Sequence, residues 1–508
     1  MFYRAKKNKS GSISIQIIEK IDGKNKVIYT VGSSNQSSEI EILKQKAQEY
    51  IYHYQGQQTI NLFENEEDSW FDTIFKQINN LYLLGPELLL GKIFDQIGFN
   101  QIQDGLFKDL VIGRIIYPSS KLKTVRYLES YSQKQYDVYQ VYRYLDKLYN
   151  TQKTIVEEIS YRHTKEILPD QQSILFYDVT TLYFESEQED ELRVTGFSKE
   201  GKHQNPQIVL GLLVSVGGYP LAYDVFKGNT YEGNTMLPII DGFKQKYQLE
   251  KLVIIADSGL INTSNIEQLT QKGYEFIIGA RIKSEKNTIK NKILSYEFKD
   301  GSNQIIDKED NIRLLVNYAE KRAKKDAYNR KRGLEKLEKS LKSGKLNKKH
   351  INNRGYNKYL KMEGDVNVMI DYQKFEQDAK WDGLKGYVTN TKLEAAKLIA
   401  NYNELWNIEK AFRMSKTDLK IRPVYHRLQR RIEAHICISF VAYKVLKELE
   451  RQLKVKKSSY STERVIEILS TIFGIQLVHP INNKTKTMLF LNNNSQREIV
   501  KMFDIHFG

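Results

Sequence analysis

A chain of 508 residues has room for about three domains and a large core, and 40% hydrophobic with 11% aromatic residues suits a folded globular protein. Its formal charge of +16 points toward a polyanionic partner, most simply nucleic acid. The single Cys437 excludes an intramolecular disulfide and any cysteine-based zinc site, and no stretch approaches about 18 consecutive apolar residues, so a cytoplasmic protein with no membrane role is expected.

Residues 1–57 read as a small β element with a helix. Ser12–Ile18 alternates apolar and polar, Asp22-Gly23 marks a turn, Lys26–Val31 returns, and a helix follows from Ser38. Residues 58–167 turn helical, with apolar residues three and four apart over Leu81–Ile97 and Leu106–Tyr117. There Pro118-Ser-Ser-Lys-Leu-Lys opens a cationic helix capped by Ser119 or Ser120, which suits a DNA-contacting region or a spacer.

Strands dominate from 168. They are Ser173–Asp178, an apolar run ending in an acid; Gln207–Val216; and, past Gly217-Gly218, Tyr219–Phe226. A helix over Thr235–Tyr247, a strand Lys251–Asp257, a helix Ser264–Lys272 and a strand Tyr274–Gly279 complete the order. The first three strands are expected to be antiparallel neighbours and the last two to be added in parallel by crossovers. The pattern breaks over 283–380. Between 319 and 361, 16 Lys or Arg face 4 Asp or Glu, so this piece alone carries +12. A run so lopsided repels itself unless it meets an anion. The core resumes at Gly386-Tyr-Val-Thr389 and a long helix and closes near 450, leaving 451–508 as a C-terminal region with no legible chemistry.

That long helix holds Tyr402-Asn-Glu-Leu-Trp-Asn-Ile-Glu409-Lys-Ala-Phe-Arg-Met-Ser-Lys416. At 100° per residue Tyr402, Trp406, Glu409, Arg413 and Lys416 fall within a stripe roughly 80° wide, beside an apolar stripe of Leu405, Ile408 and Phe412. Three carboxylates, Asp178 and Asp257 at strand ends and Glu409 on a helix across the sheet, can share two divalent ions. Such ions activate an attacking water or 3′-hydroxyl and stabilise the departing oxygen. Oxygen-only ligation favours Mg²⁺, with Mn²⁺ as the alternative. Arg193, Lys199 and Lys202 between the first two strands, Arg413 and Lys416 on the helix, and Arg422 in the turn after it suit a phosphate substrate, with Tyr402 and Trp406 as aromatic neighbours. Thr180 and Thr181 read as strand-end caps, His203 as solvent-facing and His435 as a satisfied core histidine. Lys227-Gly-Asn-Thr lacks the spacing of a nucleotide loop, so no nucleotide cofactor is expected.

Phe176-Tyr-Asp178-Val-Thr-Thr, Gly211-Leu-Leu-Val, Phe226-Lys-Gly-Asn-Thr-Tyr-Glu-Gly-Asn-Thr, Ala256-Asp257-Ser-Gly259 and the Glu409 helix, in this order, resemble the DDE transposases of bacterial insertion sequences. Within them the chain is similar to the group with a Tyr-x-x-Arg-x-x-x-Glu-x-x-x-x-x-x-Lys signature. Tyr402, Glu409 and Lys416 match it, Leu405 stands where that group has Arg, and Arg413 offers a substitute cation, as in a Leu-Trp-x-Ile-Glu subgroup. The resemblance implies an α/β fold with a ribonuclease-H-like core, a five-stranded mixed sheet flanked by helices, over 168–282 and 381–450. The stretch 283–380 is then an insertion before the catalytic helix. It further implies Mg²⁺-dependent cleavage of double-stranded DNA at terminal inverted repeats, strand transfer into target DNA and a homodimer pairing two ends. Alternatives are a ribonuclease-H-like nuclease and an inactive, co-opted DNA-binding copy.

Overall fold

The computed structural model describes residues 1–21, 23–54, 78–169, 173–198, 201, 204–260, 262–352, 355–363, 367–479 and 483–505. They fall into two compact units, Met1–Asn80 with Gln476–Lys486, and Leu81–Ile475 with Thr487–Gly508. In the smaller unit β1 (Phe2–Lys7), β2 (Ile13–Ile21) and β3 (Lys24–Ser34) form an antiparallel sheet in the order β1-β2-β3. Helix α1 (Ser37–Tyr54) packs on β2 and β3 over Ile15, Ile17 and Ala47. The sequence reading missed β1, whose Phe2-Tyr-Arg-Ala-Lys-Lys shows no apolar alternation and whose residues are mostly exposed.

Leu81–Leu83, expected as helical, instead end a strand, β4 (Ile78–Leu83), and helical turns begin at Gly85. Leu84 separates the two, and Pro86 sits in the first helical turn, where proline is tolerated because that end leaves amides unpaired anyway. Helices α2 (Lys92–Ile97), α3 (Gly105–Ile116), α4 (Lys121–Ser132), α5 (Val138–Lys147) and α6 (Lys153–Ile167) follow. Ser120 caps α4 by accepting from the Lys123 amide, and a capping box at Asp137 starts α5.

The main sheet is built from β5 (Ile174–Tyr183), β6 (Gln207–Ser215), β7 (Pro220–Lys227), β8 (Val253–Ala256) and β9 (Glu275–Ala280). To these are added β10 (Asn303–Asp307), β11 (Arg313–Tyr318) and β14 (Leu384–Thr389), beyond a separate hairpin of β12 (Leu360–Glu363) and β13 (Asn367–Ile370). The order is β10-β11-β14-β9-β8-β5-β6-β7. β5, β6 and β7 pair antiparallel, while β8 joins β5, and β9 joins β8, in parallel. Helices α7 (Met236–Tyr247) and α8 (Thr263–Gln271) make the two crossovers. This is the expected ribonuclease-H-like α/β arrangement, but the sheet has eight strands rather than five. β14 pairs antiparallel with β9, and the early part of the 283–380 segment supplies β10 and β11 beyond it.

The rest of that segment holds α9 (Asn287–Leu294), the 23-residue α10 (Glu320–Lys342) and α11 (Tyr372–Ala379). Leu337, Tyr359, Leu360 and Ile370 give it a small core of its own. After β14 come α12 (Ala395–Asn403), α13 (Trp406–Thr417) and the 27-residue α14 (Gln429–Val455), which is buried along most of its length and packs on α3, α5 and α6. The C-terminal region continues with α15 (Thr462–Leu469), β15 (Phe473–Val478), β16 (Thr485–Phe490) and α16 (Asn494–Met502). Among the described residues no helix is long and apolar enough to cross a membrane.

Candidate active site

β5 and β8 pair in parallel with Tyr177 beside Ala256, so the next position in register brings Asp178 beside Asp257, on strands about 4.8 Å apart. Side chains alternate along a strand. Phe176 and Leu182 of β5 and Ile255 of β8 belong to the same core as Ile408 and Phe412 of α13. The two aspartates therefore face the side of the sheet on which α13 packs against β5. Asp257 is exposed just past β8, as expected for a strand-ending acid. Asp178 is not at a strand end: β5 runs on to Tyr183, because Val179-Thr-Thr-Leu is β-branched or apolar and pairs with β6.

The stretch expected as one helix is two. Between α12 and α13 the amides of Leu405 and Ile408 bond the carbonyls of Tyr402 and Leu405, three residues back rather than four. This tighter turn rotates Tyr402 away from the exposed stripe. Glu409 and Arg413 are exposed and Trp406 is 53% exposed, whereas Tyr402 is only 5% exposed. The Tyr402 hydroxyl donates to Asp257 Oδ1 at 3.2 Å. It can do so because β9 carries glycine at 279: a Cβ there would lie 2.5 Å from that hydroxyl. The Tyr402 ring meets Tyr387 of β14 edge-on at 4.8 Å, and Lys385 Nζ stands 4.4 Å from its centroid. Burial first, and then the charge and hydrogen bond of Asp257 with the field of Glu409, hold the Tyr402 phenol well above its usual range. The Lys385 ammonium is pushed down by burial and by Arg322 of α10, and pulled back up by Asp257 and Glu409. Asp257, Glu409, Tyr402 and Lys385 thus share one electrostatic neighbourhood, with Arg322 at its edge.

Leu405, 6% exposed, occupies the signature's arginine position and belongs to the core. Lys410 stands 5.9 Å from the Trp406 ring centroid and pairs with Glu450 at 3.0 Å, and Lys416 is half-buried. Arg193 is engaged within its own loop. It is buried, its Nε donates to Asp190 Oδ2 at 2.6 Å, and its guanidinium lies 5.4 Å from the Phe184 ring centroid. Lys199, Lys202 and His203 lie outside the described residues. Arg422 rests 5.6 Å from the Tyr183 ring centroid, at the far end of β5. His435 is buried, with Nε2 3.0 Å from the Ile421 carbonyl, and Cys437 is a buried free thiol.

The sequence reading missed Lys385 and Arg322. One signal was available for Lys385: it stands two residues before Tyr387 on a strand, so the cation and the aromatic share a face. Gly228 of the Phe226–Thr235 motif has a steric reason, since a Cβ there would lie 2.1 Å from the carbonyls of both Gln207 and Val194.

The donors at the paired aspartates are all carboxylate oxygens, which suits a hard divalent ion. Among the described residues no group of three His, Cys, Asp or Glu side chains is gathered closely enough to hold one, so the two-ion expectation stands on a pair of aspartates with Glu409 on the flanking helix.

No curated protein matches the chain. Among solved structures it is similar to the piggyBac transposase synaptic complex with hairpin DNA, at 10% identity over 76% of this chain and 79% of that one, with a TM-score of 0.38. It is similar also to the Mos1 transposase paired-end complex with the left transposon end, at 11% identity over 31% of this chain and 53% of that one, with a TM-score of 0.16. The model of the transposase DDE domain matches residues 169–444, more than half of the chain and the whole span from β5 to α13, and on that match the chain belongs to the DDE transposase family.

Proposed function

We propose that this transposase cleaves double-stranded DNA at the ends of an insertion sequence and joins the freed 3′ ends to target DNA. The observation that carries the reading is the register of β5 and β8, which sets Asp178 beside Asp257 on the face covered by the Glu409 helix. In the first step a water oxygen attacks the scissile phosphorus and the P–O3′ bond breaks, leaving a 3′-hydroxyl and a 5′-phosphate. In the second that 3′-hydroxyl attacks a target phosphorus, displaces the target's own 3′-oxygen and gives up its proton to solvent.

Asp178 and Asp257, with Glu409 of the flanking helix as a third ligand that the structure does not gather to them, are the residues that would hold two Mg²⁺ ions, whose chemistry is to activate the attacking oxygen and to stabilise the departing one. Tyr402 fixes Asp257 through its hydroxyl, and Lys385 offers a half-buried cation to the phosphate beside the acids. Arg413, exposed one turn beyond Glu409, takes the place of the signature arginine that Leu405 lacks, as in the Leu-Trp-x-Ile-Glu subgroup of bacterial transposases. The cationic α10 and the helices of 58–167 track the DNA, and two copies pair the two ends in the cytoplasm of a bacterium.

The test uses purified protein, Mg²⁺ and a duplex bearing the element's terminal repeat. Glu409→Gln should reduce nicking at least a thousandfold, the scale of losing one essential catalytic group, while duplex binding stays within twofold. Unchanged nicking removes Glu409 from the mechanism. A precut 3′-hydroxyl end that is only hydrolysed, never joined to a target, leaves a plain nuclease instead.

A further inference from the structure

Two motifs that stand far apart in the sequence meet in the fold. The start of α4, with Ser119, Ser120, Lys121 and Lys123, and the turn after α13, with Lys420 and Arg422, line one cavity of about 540 Å³ together with Arg114 of α3. Arg114 and Lys121 are each only 4% exposed, and among the described residues no carboxylate lines the cavity. The field of Asp146 reaches His426 on the cavity wall, and Arg430 and Arg431 hold that acid in ion pairs.

The polar groups around Arg114 do not satisfy it. Its Nη1 reaches the Leu419 carbonyl only at 3.5 Å and its Nη2 reaches His435 Nδ1 only at 3.5 Å. His435 Nε2 is 3.0 Å from the Ile421 carbonyl, so Nε2 carries the proton and donates, and Nδ1 is left as the acceptor for Arg114. The Arg114 Nε is buried and has no hydrogen-bond partner. His426 and His435, on the same wall, are both pushed toward the neutral form, by burial first and then by the surrounding cations. A buried guanidinium with an orphaned donor, beside a buried lysine whose ammonium is pushed down by burial and by Arg114, at the N-terminus of a 12-residue helix makes a site that lacks its counter-charge.

We propose that this cavity is a phosphate-binding pocket that seats a phosphodiester of the DNA strand, away from the carboxylates. The proposal rests on the reading of the chain as a DNA-cutting transposase for the identity of the phosphate. Its place supports that source. Arg422, on the pocket wall, lies against Tyr183, five residues or about 16 Å beyond Asp178 along β5. Tyr425, 69% exposed, stands at its lining as an aromatic surface for a neighbouring sugar or base.

The test compares the full chain with Lys121→Met, which keeps the volume and removes the buried charge, and with Lys123→Ala at an exposed position of the same wall. Melting is followed in potassium phosphate against potassium chloride at equal ionic strength, and duplex binding is followed against salt. Phosphate should raise the melting temperature of the wild type and leave that of Lys121→Met unmoved. Both variants should weaken duplex binding, Lys121→Met by about tenfold, with the slope of log Kd against log salt shallower by about 1. Equal melting in the two salts, together with wild-type duplex binding by both variants, overturns the pocket. A phosphate effect with unchanged duplex binding overturns its assignment to DNA. A protein that binds duplex through Lys121 but never cuts it leaves the pocket standing and refutes the proposed function instead.

Discussion

The contact between Tyr402 and Gly279 is the most exacting feature of the site, and a double-mutant cycle tests it. Tyr402→Phe removes the hydroxyl that donates to Asp257 at 3.2 Å. Because Asp257 is exposed and water can replace the lost donor, the expected loss is about 1 kcal/mol. Gly279→Ala places a Cβ 2.5 Å from the Tyr402 oxygen, 3.2 Å from the Ser258 nitrogen and 3.3 Å from Tyr402 Cζ. Overlap of this kind in a packed interior costs about 2 kcal/mol. If the contacts were independent the double variant would lose about 3 kcal/mol. Phenylalanine at 402, however, removes the atom that the new methyl strikes, so the double variant should lose only about 1.5 kcal/mol. Urea unfolding of the four proteins, followed by circular dichroism, reads the coupling directly, and nicking rates give a second readout on the same set. Additivity within about 0.5 kcal/mol would refute the contact and with it the role of Gly279.

Lys385→Met should act in opposite directions on the two ligands of the site: duplex binding weakens, while Mn²⁺ titrated calorimetrically binds roughly fivefold tighter, about 1 kcal/mol of repulsion being gone. Asp178→Asn and Asp257→Asn should match Glu409→Gln in lost nicking and retained duplex binding, measured on the same substrate. Lys444, fully buried, donates to the Ser160 carbonyl at 3.0 Å, and burial lowers its ammonium from 10.5 to about 7. Unfolding restores the ordinary value, so between about pH 7 and 10.5 the unfolded chain binds more protons and stability rises with pH. Urea midpoints of the wild type should therefore increase from pH 7 to pH 9 by more than those of Lys444→Met, and equal slopes would remove Lys444 as the cause.

The catalytic core was legible because its signals are local. β5, β6 and β8 are apolar runs of the right length, the turns carry glycine, and parity along β5 and β8 puts Asp178 and Asp257 on one face. Glu409 could be read from the period of Leu405, Ile408 and Phe412, all of which are buried. The break between α12 and α13 was not legible, since no glycine or proline marks it. Tertiary ties make it, the Tyr402 hydroxyl on Asp257 and the Tyr402 ring on Tyr387. β10 escaped because Asn303-Gln-Ile-Ile-Asp is a short, largely polar edge strand that needs β11 to exist. Arg193 read as a phosphate ligand because charge in a loop suggests one, while its burial depends on Asp190 and Phe184 folding back upon it.

The residue the sequence hid best changes how the basic segment is to be understood. Read alone, the +12 between 319 and 361 is a DNA-tracking surface remote from the chemistry. In the fold, α10 leaves the sheet from β11, whose neighbour β14 carries Lys385 and Tyr387, and Arg322 in its first turns acts on both. A cation of the segment therefore bears on the lysine that in turn feels Asp257 and Glu409. If DNA phosphates neutralise α10 as proposed, Arg322 presses less on Lys385, whose ammonium is then held more firmly beside the acids. On the proposed function, engagement of DNA by the segment and the charge state beside Asp257 and Glu409 are coupled through two side chains, which would give a transposase a physical reason to place this segment before the Glu409 helix.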